Sequence, residues 1–417
     1  MVLGLLGGDT SILQTVISVG LFFLFFLLLP RIMLFQIVYK IKSALTGLEE
    51  NAQKAEDLFL NAAADNPDEM RDSIEPMKNM VVSPPSDLDP AGMFDKMEHV
   101  LDSSEDKMER YVDTVAPDAD EEQKANLSMA FKGVYGTHQM FVLIRHFKNL
   151  VEETGNYQIG GMIKMMLPLY QELSESQRDA TEAFVNEVPI GDTVGPLIAA
   201  KLIEDEPEEI AEDIVYAEET LGDSEYAVLK SEGPGARLGK YGDAVEQAVE
   251  DGDFSKIITV DAGLRFEGEE TGTVVDGSGV LMGGPGVEKG KIEEVATDND
   301  ILLEGFVVKQ SGPQASRPMH KKIWDAHEEA LGIVKDEIRN TDGDVLVVGV
   351  GNTCGAGNTR ASTEGLDTKL RPYWAEQEEE STSYFGLAKA FPMGGGGDAH
   401  GMMDAKNTFR MFQRLVR

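Results

Sequence analysis

The sequence predicts an N-terminal transmembrane helix, an all-α middle region and a C-terminal α/β domain with a mostly parallel sheet covered on both faces. Three observations predict this order. An uncharged apolar run lies near the N-terminus, helical periodicity follows it, and beyond residue 188 short β-branched runs alternate with helical segments and dense glycines. We therefore divide the chain into an extracytoplasmic N-terminus (1–11), a transmembrane helix (12–30), a helical region (31–187) and an α/β domain (188–417).

The first element is a nearly all-apolar run over residues 12–29. Its length suits a helix that crosses the hydrocarbon of a bilayer. No Lys or Arg precedes it, whereas Arg31, Lys40 and Lys42 follow, so we expect a single-pass protein of the cell membrane with its N-terminus outside and its bulk in the cytoplasm. A cleaved signal peptide is the alternative, but the sequence lacks a positive n-region and a small-residue cleavage site. Pro30 is expected to end or kink the span.

Charge limits the classes of partner. The chain has 37 Lys and Arg against 74 Asp and Glu, a formal net charge of −37. Such an excess repels nucleic acid and anionic lipid headgroups, so neither a nucleic-acid partner nor a broad polyanion-binding surface is expected. The acids are spread along the chain, which is typical of a protein that works in concentrated salt. The single cysteine, Cys354, excludes an internal disulfide.

The helical region carries amphipathic segments separated by a Pro- and Asp-rich break at 84–92. Its methionine cluster, Met162, Met165 and Met166, is interpreted as adaptable core packing rather than a soft-metal site. His138 and His146 lack a third ligand nearby in the sequence and are interpreted as structural. The region also offers helix faces to a protein partner.

The α/β domain is predicted from the alternation of two kinds of segment. The candidate strands are 227–230, 257–260, 272–275, 301–308 and 345–350. The candidate helices are 195–204, 207–219, 240–250, 319–339 and 402–416. Because strands and helices alternate, a mostly parallel sheet is expected.

Two aspartates are the sharpest chemical candidates. Asp192 lies in a Gly-Asp-x-x-Gly-Pro turn that opens a helix, and Asp261 ends the β-branched run 257–260. If these elements are neighbours, both carboxylates meet in the crevice at the carboxyl ends of the strands. Two carboxylates in one site do not both ionise easily, so the pair can polarise a water or hold a divalent metal. The alternative is that each aspartate separately caps or braces a turn.

Three motifs in residues 189–287 resemble a superfamily of α/β peptidases that includes the spore germination protease and the hydrogenase maturation proteases. The matching pieces are G-D-T-V-G-P-L-I-A (191–199), I-T-V-D-A (258–262) and T-G-T-V-V-D-G-S-G-V-L-M-G-G-P-G-V (271–287). The resemblance implies that Asp192 and Asp261 are the acidic pair, which activates water in the protease or holds a metal in the maturation enzymes. It places Gly191, Gly195, Asp276 and Gly277 among the substrate-binding residues. No histidine matches the metal-binding position of the maturation enzymes.

The whole chain also looks like an uncharacterised archaeal family of membrane-anchored proteins from salt-loving organisms. The shared features are the apolar anchor, the helical middle region and the strong acidity. No activity follows from this second resemblance.

Two glycine-rich segments are further candidates for ligand binding. In the first, 344–360, a buried strand leads to Gly349, Gly351 and Asn352, which suits either backbone contacts to a phosphate or a close-packed turn. Cys354 in the same segment has no histidine nearby to activate it as a nucleophile. In the second segment, 233–242, Arg237 is expected to bind an anionic group of the substrate or to pair with local acids.

Two further sets of residues are candidate metal ligands. His320 and His327 are two helical turns apart. Two histidines alone are too few ligands to hold a metal ion. Asp398, His400 and Asp404 follow four consecutive glycines, so that segment is either a metal site or a hinge.

The functional hypothesis is hydrolysis of a peptide or amide bond by the two aspartates, directly or through a divalent metal; the cofactor is otherwise unknown. The first alternative is a non-catalytic, membrane-tethered scaffold or binding module. The second alternative is a phospholigand-binding protein that uses the segment 349–357.

Overall fold

The computed structural model describes residues 9–64, 66–81, 93–283 and 286–377. Described residues up to 371 form one compact unit, and the few that follow belong to a second. The predicted helix 402–416 and the candidate ligands Asp398, His400 and Asp404 lie outside the described residues.

The N-terminal region is helical, as predicted. Its helices are α1 (Asp9–Ala63), α2 (Pro67–Lys78), α3 (Met93–Val115), α4 (Glu121–Thr154) and α5 (Tyr157–Val185). Helix α4 begins at a capping box between Asp120 and Gln123 and ends at Gly155, whose φ of +64° a glycine adopts without strain. The short 155–156 turn then reverses the chain into α5.

The two halves of helix α1 differ in the exposure of their side chains. Its N-terminal half has many exposed apolar side chains, and its length and composition suffice to cross a membrane. Its C-terminal half is buried against α4 and α5. Pro30 does not end the helix, because α1 continues through it to Ala63, and the alternative expectation of a kink at Pro30 stays a prediction.

The bundle core is aromatic at its centre. Phe59, Tyr111 and Phe131 come from α1, α3 and α4, and their ring centroids are 5.1–6.2 Å apart. The methionines at the start of α5 do not belong to this core. Met162 is 43% exposed and Met165 is 82% exposed, so the interpretation of this cluster as core packing is wrong.

The C-terminal region contains one seven-stranded sheet. The strands are β1 (Glu208–Ala211), β2 (Ile214–Leu221), β3 (Ser224–Ser231), β4 (Phe254–Leu264), β5 (Val274–Ser278), β6 (Leu302–Gln310) and β7 (Asp344–Gly349), in the order β1-β2-β3-β7-β4-β6-β5. The central strands β3, β7, β4 and β6 are parallel, whereas β1, β2 and β5 pair antiparallel at the edges. The sheet is therefore mixed rather than mostly parallel.

All five predicted strands are present, but the helix predicted at 207–219 is wrong. That stretch forms β1, a tight turn and most of β2. Within β2, residues 214–221 read I-V-Y-A-E-E-T-L, where β-branched and aromatic side chains favour a strand. The turn places Asp213 at a φ of +59°, which ends any helical path there.

Helices pack against the sheet from several positions in the sequence. They are α6 (Val194–Ala200), α7 (Tyr241–Asp251), α8 (Gly286–Asp298) and α10 (Lys321–Asn340). The short helix α9 (Gly312–Ser316) contacts α5, and a last helix has its described part at 366–377. Helices α7 and α8 share a buried cluster with Leu229, Ile257 and Leu346 of three neighbouring strands. Helix α6 contacts β3, β4 and β7, which positions its N-terminus at their ends.

Candidate functional site

Asp261 reaches the carboxyl edge of the sheet on a buried central strand. Strand β4 lies between β7 and β6, with Asp261 opposite Val307 and the preceding Val260 opposite Gly349. The β-branched residues of β4 that precede Asp261 are buried, and Asp261 itself is only 2% exposed. The strand therefore holds the carboxyl group in a fixed, largely dry position.

Asp192 reaches the same edge through a turn that only glycine permits. A 3₁₀ turn over Gly191–Thr193 leads into α6. A Cβ on Gly195 would collide with the carbonyl oxygen of Val350, just after β7, and with that of Val260, within β4. The backbone of α6 thus lies directly against β4 and the residue that follows β7, because glycine has no side chain to prevent it.

The hydrogen bonds of the two carboxyl groups differ. Asp261 Oδ1 accepts from the N–H of Ala262 at 2.6 Å and Oδ2 from the N–H of Gly283 at 2.7 Å. Asp192 Oδ2 accepts from the N–H of Asn352 at 3.0 Å, and no described residue donates to Asp192 Oδ1. No side chain caps α6 in the described structure, so the interpretation of Asp192 as an N-cap is wrong.

Burial and proximity raise the pKa values of both groups. Burial raises the pKa of Asp192 to about 6, against the opposing effect of the Asn352 N–H. Burial raises the pKa of Asp261 well above its ordinary value, and the negative charge of Asp192 raises it further. We refer to these two residues as the acid pair. Both shifts disfavour the state in which the two carboxyl groups are ionised together.

Two carboxamides next to the acid pair are buried without partners. Gln310, at the carboxyl end of β6, is 2% exposed, and neither atom of its amide group has a hydrogen-bond partner in the described structure. A Cβ on Gly191 would collide with Gln310 Oε1, so this amide lies one residue from Asp192. Asn352 is 1% exposed, and its Nδ2 also has no partner among the described residues. Buried polar groups are normally paired, so these atoms are available to a ligand.

A buried hydroxyl network also adjoins Asp261. The Tyr241 hydroxyl donates to the carbonyl of Gly349 at 2.9 Å and lies 2.5 Å from Ser231 Oγ. Burial raises the pKa of Tyr241, and the charge of Asp261 adds to the effect. The sequence reading missed Gln310, Ser231 and Tyr241. The only signal for Gln310 was a lone amide at the end of a predicted strand, and Tyr241 had none.

The remaining predicted residues fall into two groups. Gly349 and Gly351 form a close-packed turn, where a Cβ on Gly351 would collide with the carbonyl oxygen of Asp192. The N–H of Asn352 already donates to Asp192. Asp276 and Gly277 lie on the edge strand β5, where Asp276 is exposed and pairs with β6 rather than with β4. The structure therefore does not bring this Asp-Gly turn together with the acid pair.

Arg237 is used inside the protein. Its side chain is 10% exposed, and its guanidinium pairs with Glu122 at 2.8 Å, Asp213 at 3.2 Å and Glu232 at 3.9 Å. Glu122 belongs to α4, so this Arg237 cluster joins the helical region to the α/β region. Of the two interpretations, pairing with local acids is the one that the structure supports. Arg237 also lines a cleft of about 570 Å³ between α3, α4 and the loop at 236–240.

The acid pair offers a divalent metal few ligands of its own, and the metal role of Asp192 and Asp261 stays a prediction. In the described parts of the chain, no three or more His, Cys, Asp or Glu side chains form a group that could hold a metal ion. Three of the four carboxylate oxygens already accept backbone N–H groups. A cation at this site would therefore have only the two carboxyl groups as acidic ligands, and water or backbone oxygens would have to complete its coordination.

The other candidate nucleophile and ligands have structural roles. Cys354 is fully buried, and burial raises the pKa of its thiol, the reverse of what a nucleophile needs. His320 Nδ1 accepts from the N–H of Lys322 at the start of α10, and His327 is 1% exposed with its Nε2 at 3.0 Å from Glu328. His138 contacts Asn79 Oδ1 at 3.1 Å.

Comparison with known proteins gives a family but no activity. No curated protein and no solved structure matches this chain. The similarity to the spore and maturation proteases therefore stays a prediction. Two family models match, the N-terminal domain of a protein of unknown function (DUF1512) over residues 15–187 and the C-terminal domain of unknown function of DUF1512 over residues 190–357. Because these models together span most of the chain, it belongs to the two-domain DUF1512 family.

Proposed function

We propose that the α/β domain hydrolyses a peptide or amide bond, with the acid pair activating a water. The observation that carries this proposal is that the charge of Asp192 raises the pKa of the buried Asp261. Two carboxyl groups that share a proton supply a base and an acid at the same pH, which is what water addition to an amide requires. The proposal uses no metal.

Each residue has a stated role in this reaction. Asp192 Oδ1, to which no described residue donates, takes a proton as the water oxygen adds to the amide carbonyl carbon. The unpartnered Nε2 of Gln310 and Nδ2 of Asn352 donate to the oxygen that gains negative charge. The acid pair then delivers a proton to the leaving nitrogen as the C–N bond breaks. The products are a carboxylic acid and an amine.

We also propose that α1 anchors this activity at the cell membrane through residues 12–30, with the N-terminus outside and the bulk in the cytoplasm. The absence of Lys and Arg before the apolar run, and their presence after it, support this orientation. We attribute the net charge of −37 to work in concentrated salt in an archaeal host, and expect no nucleic-acid partner. We further infer that helices cover both faces of the sheet, and that the helical region is available to a protein partner.

The test is hydrolysis by the full chain in detergent micelles at high salt, with a fluorogenic mixed-peptide library as the probe. Asp192→Asn removes the base but keeps the shape, so we expect a loss of about 100-fold or more in kcat/KM. Asp276→Asn, at an exposed acid on the edge strand, is the matched control and should leave the rate unchanged. Wild-type turnover should also depend on a group with a pKa of about 6.

Two results would contradict the hydrolase. One is equal rates for wild type and Asp192→Asn, and the other is no turnover by a wild-type protein shown to be folded. Either would favour the non-catalytic scaffold. Phosphate binding that is lost in Gly351→Ala would favour the phospholigand alternative.

A further inference from the structure

The start of α5 exposes apolar side chains that its own bundle does not cover. Met165 is 82% exposed, and Met162 and Tyr157 are 43% and 44% exposed. On α1, Tyr39 is 67% exposed. We call Tyr39, Tyr157, Met162 and Met165, together with the exposed Lys164, the membrane-proximal patch. Exposed apolar side chains grouped in this way mark an interaction surface.

The patch lies where α1 leaves the bundle. Helices α1 and α5 run parallel with a constant offset of 123 residues. A Cβ on Gly160 would contact Ile37, and Asn51 donates to Ser174 at 3.3 Å. By this register Met162 lies beside residue 39 of α1 and Met165 beside residue 42. The patch is therefore continuous with the exposed apolar half of α1.

The position of the membrane-proximal patch along α1 corresponds to the headgroup layer of a bilayer. Exposed apolar side chains extend from Val16 to Phe35, and 20 residues of helix span about 30 Å, the thickness of the hydrocarbon core. Arg31 falls inside this range, and its long side chain can extend to the interface. Met162 then lies about 6 Å and Met165 about 10 Å beyond the hydrocarbon edge, at 1.5 Å per residue.

The charge at this end of the bundle is opposite to that of the protein. Residues 31–48 and 145–171 hold six Lys or Arg and only two acids, Glu152 and Glu153, in a chain whose net charge is −37. Glu152 is itself paired with Lys42 and Lys148. A local cationic surface with Met and Tyr side chains is the chemistry that binds anionic lipid headgroups.

We propose that the membrane-proximal patch lies in the headgroup layer of the bilayer that α1 crosses and binds anionic phospholipids there. This inference rests on the proposed membrane anchor and not on the hydrolytic reaction. Its consequence is that the helical region is held against the membrane surface at a second point, besides α1 itself.

Single-cysteine labelling of the full chain tests this placement, because the one native thiol, Cys354, is fully buried. A fluorophore is attached to Met165→Cys, to Leu24→Cys within the apolar half of α1, and to Leu302→Cys on β6 as an exposed control. Each protein is reconstituted in vesicles of phosphatidylcholine with phosphatidylglycerol that carry nitroxides on headgroups or on acyl chains. We expect headgroup nitroxides to quench the Met165→Cys label, acyl-chain nitroxides to quench the Leu24→Cys label, and neither to quench the Leu302→Cys label.

The outcomes separate the patch from the anchor. A Met165→Cys label that behaves like the Leu302→Cys label, while the Leu24→Cys label is quenched, overturns the patch and leaves the anchor. An unquenched Leu24→Cys label overturns the anchor, and the patch with it. Adding Lys164→Glu to Met165→Cys should reduce headgroup quenching in anionic vesicles, since one Lys near such a surface is worth about fivefold in binding. It should have no effect in pure phosphatidylcholine, and equal effects in both vesicles would contradict anionic-lipid binding.

Discussion

The α/β region contains two glycine-rich segments, 232–240 and 349–358, that use similar residues in different ways. They are in contact, since Thr353 Oγ1 donates to the carbonyl of Gly235 at 2.6 Å and the N–H of Gly355 to that of Pro234 at 2.9 Å. In the first segment Arg237 is paired with three acids. In the second, Asn352 leaves its Nδ2 without a partner among the described residues.

The two segments differ in whether their buried polar side chains have ion-pair or hydrogen-bond partners. An arginine surrounded by carboxylates holds the structure together, and losing it leaves the acids uncompensated. A buried amide without a partner contributes nothing to stability and costs free energy, so it suits binding rather than folding. A glycine-rich composition predicts neither role by itself.

The largest expected effect is on the Arg237 cluster. Arg237→Met should lower the free energy of unfolding by about 3 kcal/mol, because Glu122, Asp213 and Glu232 lose their shared counter-charge. Urea denaturation of the full chain measures it. Arg339→Met, at an exposed arginine paired within its own helix, is the control and should change stability by less than about 0.5 kcal/mol. If Arg237→Met and Arg339→Met lowered the free energy of unfolding equally, the ion pairs of Arg237 would not stabilise the first segment as described.

A smaller loss of stability is expected at the second segment. Gly351 has a φ of +136°, and a Cβ there would collide with the carbonyl oxygen of Asp192. Gly351→Ala should therefore cost about 2 kcal/mol and displace the acid pair. Gly332→Ala, in open space on α10, should instead stabilise the protein by about 0.5 to 1 kcal/mol. If Gly351→Ala left the free energy of unfolding unchanged, the contact between Gly351 and the Asp192 carbonyl oxygen would not be tight enough to exclude a side chain.

A gain in stability is expected when the acid pair is broken. The pKa of Asp192 is about 6 in the folded protein against 3.8 ordinarily, so between these pH values the folded state binds more protons than the unfolded state. Stability therefore falls as the pH rises through this window. Asp192→Asn should remove this dependence and stabilise the protein by about 1 to 2 kcal/mol at pH 7. A destabilised variant in the same pH series would favour a structural role for Asp192.

The smallest effect is expected at Cys354. Its thiol is buried against the carbonyl of Ala183, and burial raises its pKa. Cys354→Ala should change the free energy of unfolding by about 1 kcal/mol or less, and leave any rate of the proposed hydrolysis unchanged. The native thiol should react with Ellman's reagent only after denaturation. Rapid reaction of the folded protein would show that the second segment opens.

Sequence periodicity predicted most elements but not the partners of their side chains. The strands around 257–260 and 345–350 were evident because β-branched runs signal buried strands. The hairpin at 208–221 was missed because its acids also fit a helical period. Asp192 and Asp261 were predicted to meet because parallel strands end at one edge. Gln310 was not predicted, because the burial of its side chain and the lack of hydrogen-bond partners for its amide group depend on the tertiary structure and leave no pattern in the sequence.

The unbroken course of α1 has a consequence for what the protein can reach. From Pro30 to Ala63 the helix extends about 50 Å, so it acts as a rigid spacer rather than a flexible tether. At the far end of the bundle, Asp179 of α5 pairs with Arg317 at 2.9 Å, just beyond α9, whose Gln314 adjoins Gly191. With α1 anchored in a bilayer as proposed, these contacts would hold the acid pair at a fixed distance from the lipid. The proposed hydrolysis would therefore reach substrates that extend to that distance from the bilayer, and not those that lie flat on the lipid.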